Sequence, residues 1–429
     1  MKTKTLFGGA LVLFFIAAIV ITPGIIGAQV ALTDNEQLGK SIFFDTNLSI
    51  DNNQSCATCH DPGWGWTGPD SDINAGGSVY EGSILGRFGD RKPPTAAYAT
   101  LSPIFYQDKK GLFVGGNFWD GRATGEKLGN AAADQAQGPF LNPKEQALPD
   151  SACVVYRVCT GSYPVSFEDV WGADACDIEW PLDVEAACAA EGMTVDLSDM
   201  DRAKSDMAYD NIALSIAAYE DSPEVNAFSS KYDFTYKKSI TGEKAKLSKE
   251  EQLGYSLFRG KGMCHRCHPA NDQDAFFTDF TFDNLGIPQN PENPAGVAPY
   301  FVDPGLGGFL KNAGYYEEVY MAEWGKHKVP TLRNVDLRPD DDGFIKAYGH
   351  NGYFKSLEGI LHFYNTRDVL PTCPGAYTEA EALAANCWPA PEVTENVNTD
   401  ELGNLGLTPE EEAAIVAFLK TLSDGYDEW

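Results

Sequence analysis

Ser55-Cys56-Ala57-Thr58-Cys59-His60 decides how this chain is read. Two cysteines three positions apart, followed at once by histidine, form the attachment signal of c-type haem: the thiols form thioethers with the vinyl groups and His60 binds iron axially. A second copy stands at Cys264-His265-Arg266-Cys267-His268. A CxxC redox pair or half a zinc site would account for the cysteines alone, but either leaves both trailing histidines as coincidence. Two covalently bound haems are therefore expected, with His60 and His268 as iron ligands.

Working outward, the twelve residues from Leu32 (Leu-Thr-Asp-Asn-Glu-Gln-Leu-Gly-Lys-Ser-Ile-Phe) recur from Leu247 as Leu-Ser-Lys-Glu-Glu-Gln-Leu-Gly-Tyr-Ser-Leu-Phe. Thr33 and Ser248 stand three residues before Glu36 and Glu251, so two capping boxes open two short helices, each feeding a haem motif. Duplication of a small helical haem unit explains this. The fold class expected is mainly α, with two tandem cytochrome c-like haem domains and long loops. The first domain spans residues 29–221 with a cysteine-bearing insertion at about 150–206. Residues 222–246 form a linker and 247–429 the second domain.

The chain has 429 residues and is 43% apolar, enough for two cores. Its formal charge of −30 excludes phosphate-backbone binding, so nucleic acid is not a partner. That acidity either steers a basic redox partner or marks a well-solvated surface. Residues 1–28 read as a signal peptide: Lys2 and Lys4 precede the apolar run Leu6 to Ile21, and Ile26-Gly27-Ala28 offers a cleavage site. Uncleaved, residues 6–30 would serve as a membrane anchor. Export to the periplasm suits haem attachment. It also suits the six cysteines outside the haem motifs, which are read as three disulfides, most simply the local pairs 153–159, 176–188 and 373–387 among fifteen connectivities.

Met193, Met200 and Met207, spaced by seven, read as packing residues rather than haem ligands. Asn211 to Tyr219 is an apolar helical stretch. The loop-rich region from Asn271 to Lys326 is expected to lie over the second haem. A final helix starts with Thr408 as N-cap, Pro409 and Glu411, and carries Ala414, Ile415, Phe418, Leu419 and Leu422 on one face.

Several further stretches join the haem motifs in order: Phe43-Phe44-Asp45, Pro94-Thr95, Phe118-Trp119-Asp120-Gly121-Arg122, Gln135 to Glu145, Val329 to Asn334, and Gly349-His350-Asn351-Gly352. Together they resemble the bacterial dihaem cytochrome c peroxidases and the related MauG enzymes. The resemblance implies that peroxide reacts at the His60 haem, with Gln135, Pro139 and Glu145 in its distal pocket. A carboxylate there can carry a proton between the peroxide oxygens while an amide orients them. Trp119 resembles the tryptophan that passes electrons between the haems.

Two departures bear on mechanism. Many such peroxidases cap the resting peroxide haem with a distal histidine, yet no histidine occurs between His60 and His265. On the second haem, Tyr364 takes the place where peroxidases supply methionine and the MauG group tyrosine, with His362 and His350 as competing ligands. A phenolate there would stabilise oxidised iron. The interdomain calcium of the family is left open, because its asparagine appears here as Lys92 and an acidic insertion at Asp340 to Asp342 disrupts its other ligands. A lysine ammonium is the alternative to the ion.

The function expected is reduction of hydrogen peroxide with electrons from a redox protein such as a cytochrome c or cupredoxin, without prior reductive activation. MauG-like oxidation of a protein substrate is the alternative. A non-catalytic dihaem electron carrier is the rival from another class.

Overall fold

A computed structural model describes residues 31–238, 242–270, 275–294, 301–339 and 343–426. The leader or anchor at residues 1–30 and the insertion Asp340 to Asp342 lie outside the described residues. No helix among those described is long and apolar enough to cross a membrane. The fold is helix-rich. Seven helices matter here: α1 (Asp34–Phe43), α2 (Ala131–Leu141), α3 (Ser151–Thr160), α4 (Asp199–Asp221), α5 (Lys249–Arg259), α6 (Leu357–Thr366) and α7 (Pro409–Lys420). The named strands described are two residues long and form two antiparallel ladders, Tyr106–Gln107 with Phe113–Val114 and Phe282–Asp283 with His327–Lys328.

The capping boxes expected at Thr33 and Ser248 are formed, and Thr408, expected as an N-cap, makes a third, the hydroxyl and the glutamate three residues on each satisfying the other's backbone N–H. The internal repeat extends further than the sequence showed. Helix α1 crosses α4 at Gly39, where an added Cβ would lie 1.8 Å from the Ser215 carbonyl oxygen. Helix α5 crosses α7 at Gly254, where a Cβ would lie 1.8 Å from the Ala414 oxygen. Glycine is required because backbone meets backbone at both crossings. Four residues beyond each contact stand Tyr219 and Phe418, against the same two glycines.

Two large apolar clusters follow from this duplication. One gathers Leu38, Ile42, Phe43, Ile212 and Ile216; the other gathers Leu257, Phe258, Ile415, Phe418 and Leu422. Helix α3 from the cysteine-bearing stretch belongs to the first cluster, with Cys153, Val154, Val155 and Val158 fully buried. Between the clusters' main helices, Lys231–Tyr236 forms a short helix whose Asp233 is buried against Arg333.

Three details differ from expectation. The disulfides are nested, Cys153–Cys188 around Cys159–Cys176, with Cα separations of 5.4 and 5.5 Å, and Cys373–Cys387 is the one local pair. Cys153 and Cys159 lie about 9 Å apart along one helix, outside the span a disulfide bridges. Helix α4 begins at Asp199, well ahead of its apolar stretch, because Ser198 caps it by accepting from Asp201 N at 3.1 Å. Its first turns bury only the polar Asp201 and Ser205, so apolar periodicity does not reveal them. Met193, Met200 and Met207 are exposed by 49, 68 and 65%, and therefore neither fill a core nor reach an iron.

Candidate active site

A cavity of about 580 Å³ opens beside the first motif. Cys56, Cys59 and His60 line it together with the three residues expected of the distal pocket, Gln135, Pro139 and Glu145, and with Trp119. A narrower cavity of about 200 Å³ is lined by Cys264, Cys267, His268 and Tyr364, and Trp119 borders both. The loop expected over the second haem divides between them. Phe301, Pro304 and Phe309 close the first cavity, while Asp283, Asn284 and Ile287 line the second. The cause is tertiary: Arg91 of the first half grips Asp303 through Nε and Nη2 at 2.6 and 2.7 Å and draws that segment across.

The donor set fits a haem in each cavity. His60 Nδ1 lies 3.2 Å from the Trp66 carbonyl oxygen and His268 Nδ1 lies 2.7 Å from that of Phe277. A carbonyl only accepts, so Nδ1 carries the proton and Nε2 keeps its lone pair, as an iron-binding imidazole requires. Burial pushes His60 down to about 4 and lowers His268 as well, so both rings are neutral. Cys56, Cys59, Cys264 and Cys267 are free thiols, in contrast to the six paired cysteines.

Helix α2 presents Gln135 and Pro139. Asn130 caps it, accepting from Ala132 N and Ala133 N at 2.8 and 3.1 Å. Pro139 lies inside the helix and lacks the N–H that would pair with the Gln135 carbonyl, which ends the regular ladder near the cavity. The chain then turns: Glu145 N donates to Asn142 O at 2.9 Å, and Ser83 N donates to Glu145 O at 2.7 Å. Glu145 is thereby held facing the cavity rather than standing at an exposed helix start. Burial raises its carboxyl above the usual carboxylate range, opposed by the Arg122 guanidinium. That guanidinium sits 3.7 Å from the Phe118 ring centre and donates to Asp120 at 2.9 Å.

Trp119 is pinned from both halves of the chain: its indole N–H donates to Lys92 O at 2.8 Å, and its carbonyl accepts from Lys328 N at 2.8 Å. Gly121, at φ 75°, lets the turn pass against Phe282, whose ring would lie 2.7 Å from a Cβ. In the second cavity burial pushes the Tyr364 phenol above its ordinary range, and the two motif thiols add to this. Of the competing ligands, His362 lies 3.2 Å from Glu412 and is not among the residues lining the cavity. His350 borders it but pairs with Glu392 at 3.1 Å.

Sequence reading missed three features here. His327 stacks on His350 with ring centres 3.7 Å apart and lies 3.1 Å from Asp303. Asp303, His327 and His350 offer metal-ligand atoms within 4.8 Å of one another, but Arg91 already holds both Asp303 oxygens. Glu220 lines the first cavity, 5% exposed, and burial pushes it up to about 8. Lys346 donates to the carbonyls of Trp64, Asn334 and Leu337 at 3.0, 2.9 and 2.8 Å. None of these residues carries a local sequence signal, since each contact joins distant segments.

Residues 33–241 match the family described as di-haem cytochrome c peroxidase. The chain is 35% identical to the methylamine utilization protein MauG of Paracoccus denitrificans, over 90% of this chain and 88% of that one. It is 26% identical to the cytochrome c551 peroxidase of Nitrosomonas europaea, over 76% of this chain and 71% of the relative. Among solved structures it resembles the diheme peroxidase BthA of Burkholderia thailandensis, with a TM-score of 0.67 and 26% identity over 91% of this chain and 86% of that one.

Proposed function

Since the chain belongs to the di-haem cytochrome c peroxidase family and is a hydrogen peroxide-dependent oxidoreductase with two haems, we propose that peroxide is cleaved in the His60 cavity and that the His268 cavity serves electron transfer. The observation that carries this division is that Gln135 and Glu145 line the His60 cavity while Tyr364 lines the other. The haems are attached through Cys56, Cys59, Cys264 and Cys267. The halves at 29–221 and 247–429 are tandem cytochrome c-like domains joined by 222–246.

Haem iron, when bound, supplies an open coordination position for peroxide and a store of oxidising equivalents. The protein supplies the rest. Gln135 orients the peroxide oxygens with its amide, and the Glu145 carboxylate takes the proton from the inner oxygen and returns it to the outer one. Pro139 keeps the helix end clear of this face. Trp119, bordering both cavities, is the route for electrons between them. Tyr364 would hold the second iron through its phenolate, a metal charge there offsetting the burial that otherwise keeps the phenol protonated.

The electrons come from a small redox protein, or from a protein substrate as in a MauG-like oxidase. The absence of histidine between His60 and His265, together with Tyr364, favours reaction without prior reduction. Three disulfides support an exported location. The test is stopped-flow absorption of the diferric protein mixed with one equivalent of hydrogen peroxide and no reductant. Rapid spectral conversion is expected. Reaction only after one haem is reduced would shift the reading to a reductively activated peroxidase, and no reaction at all would leave an electron carrier.

Lysine ammonium groups replace an interdomain calcium in this reading. Lys92 Nζ donates to Thr67 Oγ1 and Pro93 O at 2.8 and 2.9 Å. Burial and then the Lys92 charge push Lys346 well below its ordinary range. Its three carbonyl acceptors nevertheless occupy all three ammonium protons. Peroxide reactivity and thermal stability are therefore expected to be unchanged after dialysis against a calcium chelator. A loss restored by calcium would show that an ion is needed.

A further inference from the structure

The two halves build the same three-ring contact behind their motif histidines, but with different chemistry. In the first, Phe43, Trp66 and Tyr219 meet edge to face, with ring centres 5.9 Å (43–66), 6.0 Å (66–219) and 5.6 Å (43–219) apart. In the second, Phe258, Phe277 and Phe418 meet at 6.3 Å (258–277), 6.3 Å (277–418) and 5.2 Å (258–418), edge to face except for the tilted 277–418 pair. The positions correspond one to one. Phe43 and Phe258 stand near the ends of α1 and α5. Trp66 and Phe277 supply the carbonyl that accepts from the histidine Nδ1 and share a left-handed backbone, φ 60° and 52°. Tyr219 and Phe418 follow the helix-crossing contacts at Ser215 and Ala414 by the same spacing.

Phenylalanine satisfies the packing at all three positions, as the second half demonstrates. Trp66 and Tyr219, 5 and 1% exposed, therefore add something packing does not require. Indole and phenol give up an electron far more readily than a phenyl ring does. A phenol also needs somewhere to send its proton: Lys40 Nζ lies 5.9 Å from the Tyr219 ring centre and is paired to Glu224, and burial, then the Glu224 charge, hold the phenol above its ordinary range. Glu224 is 28% exposed and ion-paired to Lys40 at 2.5 Å, so the proton has a path to solvent. In the second half tyrosines stand outside the ring triad, Tyr232 5.0 Å from Phe277 and Tyr255 5.1 Å from Phe418.

We propose that Trp66 and Tyr219 form an oxidisable exit from the His60 cavity to the surface at Glu224 and Lys40, separate from Trp119, which drains oxidising equivalents when no external donor is bound. The proposal rests on the peroxidase reading above, with hydrogen peroxide as the oxidant. One electron leaves Tyr219 and crosses the Trp66 indole to replace one that peroxide has withdrawn at the first cavity. The phenolic proton passes to Glu224, leaving a neutral tyrosyl radical that a surface reductant restores by returning one electron and one proton.

The experiment is freeze-quench electron paramagnetic resonance of the diferric holoprotein after one equivalent of hydrogen peroxide without donor, with haem absorbance followed in parallel. A tyrosyl signal is expected in the wild type, lost in Tyr219→Phe and retained in Tyr163→Phe, whose phenol is hydrogen-bonded to Asp45 at 2.8 Å in the same half. Trp66→Phe, which installs the ring already packed at Phe277, is expected to lower the yield. Haem absorbance that converts with no radical, or a signal that persists in Tyr219→Phe, overturns the proposal; an unchanged yield in Trp66→Phe removes the indole from the route. Absorbance that does not change in any variant overturns the peroxidase reading instead, and the exit falls with it.

Discussion

The Glu145→Gln variant is expected to react with hydrogen peroxide about 10²–10⁴-fold more slowly than the wild-type protein, the usual worth of a positioned acid–base group. Glutamine keeps the volume and can still hydrogen-bond, but it has no ionised form to shuttle a proton from the inner to the outer oxygen. The wild-type rate should fall as the medium is acidified through the Glu145 pKa. Because burial holds that pKa above the ordinary carboxylate range, the fall begins at a higher pH than an exposed glutamate would give. In the variant this acid limb disappears. Stopped-flow rates across pH measure both effects, and an unaltered resting haem spectrum shows that the cavity is intact. A variant as fast as the wild type would remove Glu145 from the mechanism.

The largest stability effect is expected from Arg333→Met, at about 3–5 kcal/mol, the cost of leaving a buried charge without its partner. Arg333 and Asp233 are both 0% exposed and paired through two bonds of 2.9 and 2.8 Å. Arg333 Nε also donates to Ala275 O at 2.7 Å, and the guanidinium lies 4.4 Å from the Phe228 ring centre. Burial alone would raise the Asp233 pKa, but Arg333 outweighs it and holds the carboxyl below its ordinary range. The stabilisation is therefore present above the unfolded-state value of about 3.9 and is lost as pH falls through the lower folded value. In the variant the sign reverses: Asp233 titrates upward, and acidification neutralises the orphaned charge. The difference between the two proteins in urea unfolding should narrow from pH 7 to pH 5. Adding Asp233→Asn should recover part of the loss; a double variant no better than the single one would show that lost packing, not charge, sets the cost.

Much of this architecture was legible because it is local. The two motifs, the three N-caps and the repeated Leu-Gly step are each contained in a few residues, and each appears where expected. The gathering of Gln135, Pro139 and Glu145 beside His60 was implied by resemblance rather than by spacing, and the structure brings all three to one cavity. What escaped was long-range. Nested disulfides depend on which face of α3 each cysteine takes, and the helical stretch around Cys153 and Cys159 gave no warning that the nearest partners were unreachable. The segment Phe301 to Phe309 went to the opposite cavity because Arg91, some two hundred residues earlier, pairs with Asp303 at 2.6 Å. His327 drew no notice because its partner His350 lies on another loop. The ring triads were hidden in the same way, since Trp66 and Tyr219 look like ordinary core aromatics until the second half supplies their phenylalanine counterparts.

The four unpaired cysteines carry a consequence for how the molecule is made. In the finished fold their side chains line the two cavities and are partly buried, and burial pushes Cys59 and Cys264 up to about 12, with Cys56 and Cys267 raised as well. A protonated thiol is a weaker nucleophile than its thiolate. Thioether formation is therefore expected to be easier on the open chain, before α1 closes on α4 and α5 on α7, where the thiols keep their ordinary ionisation.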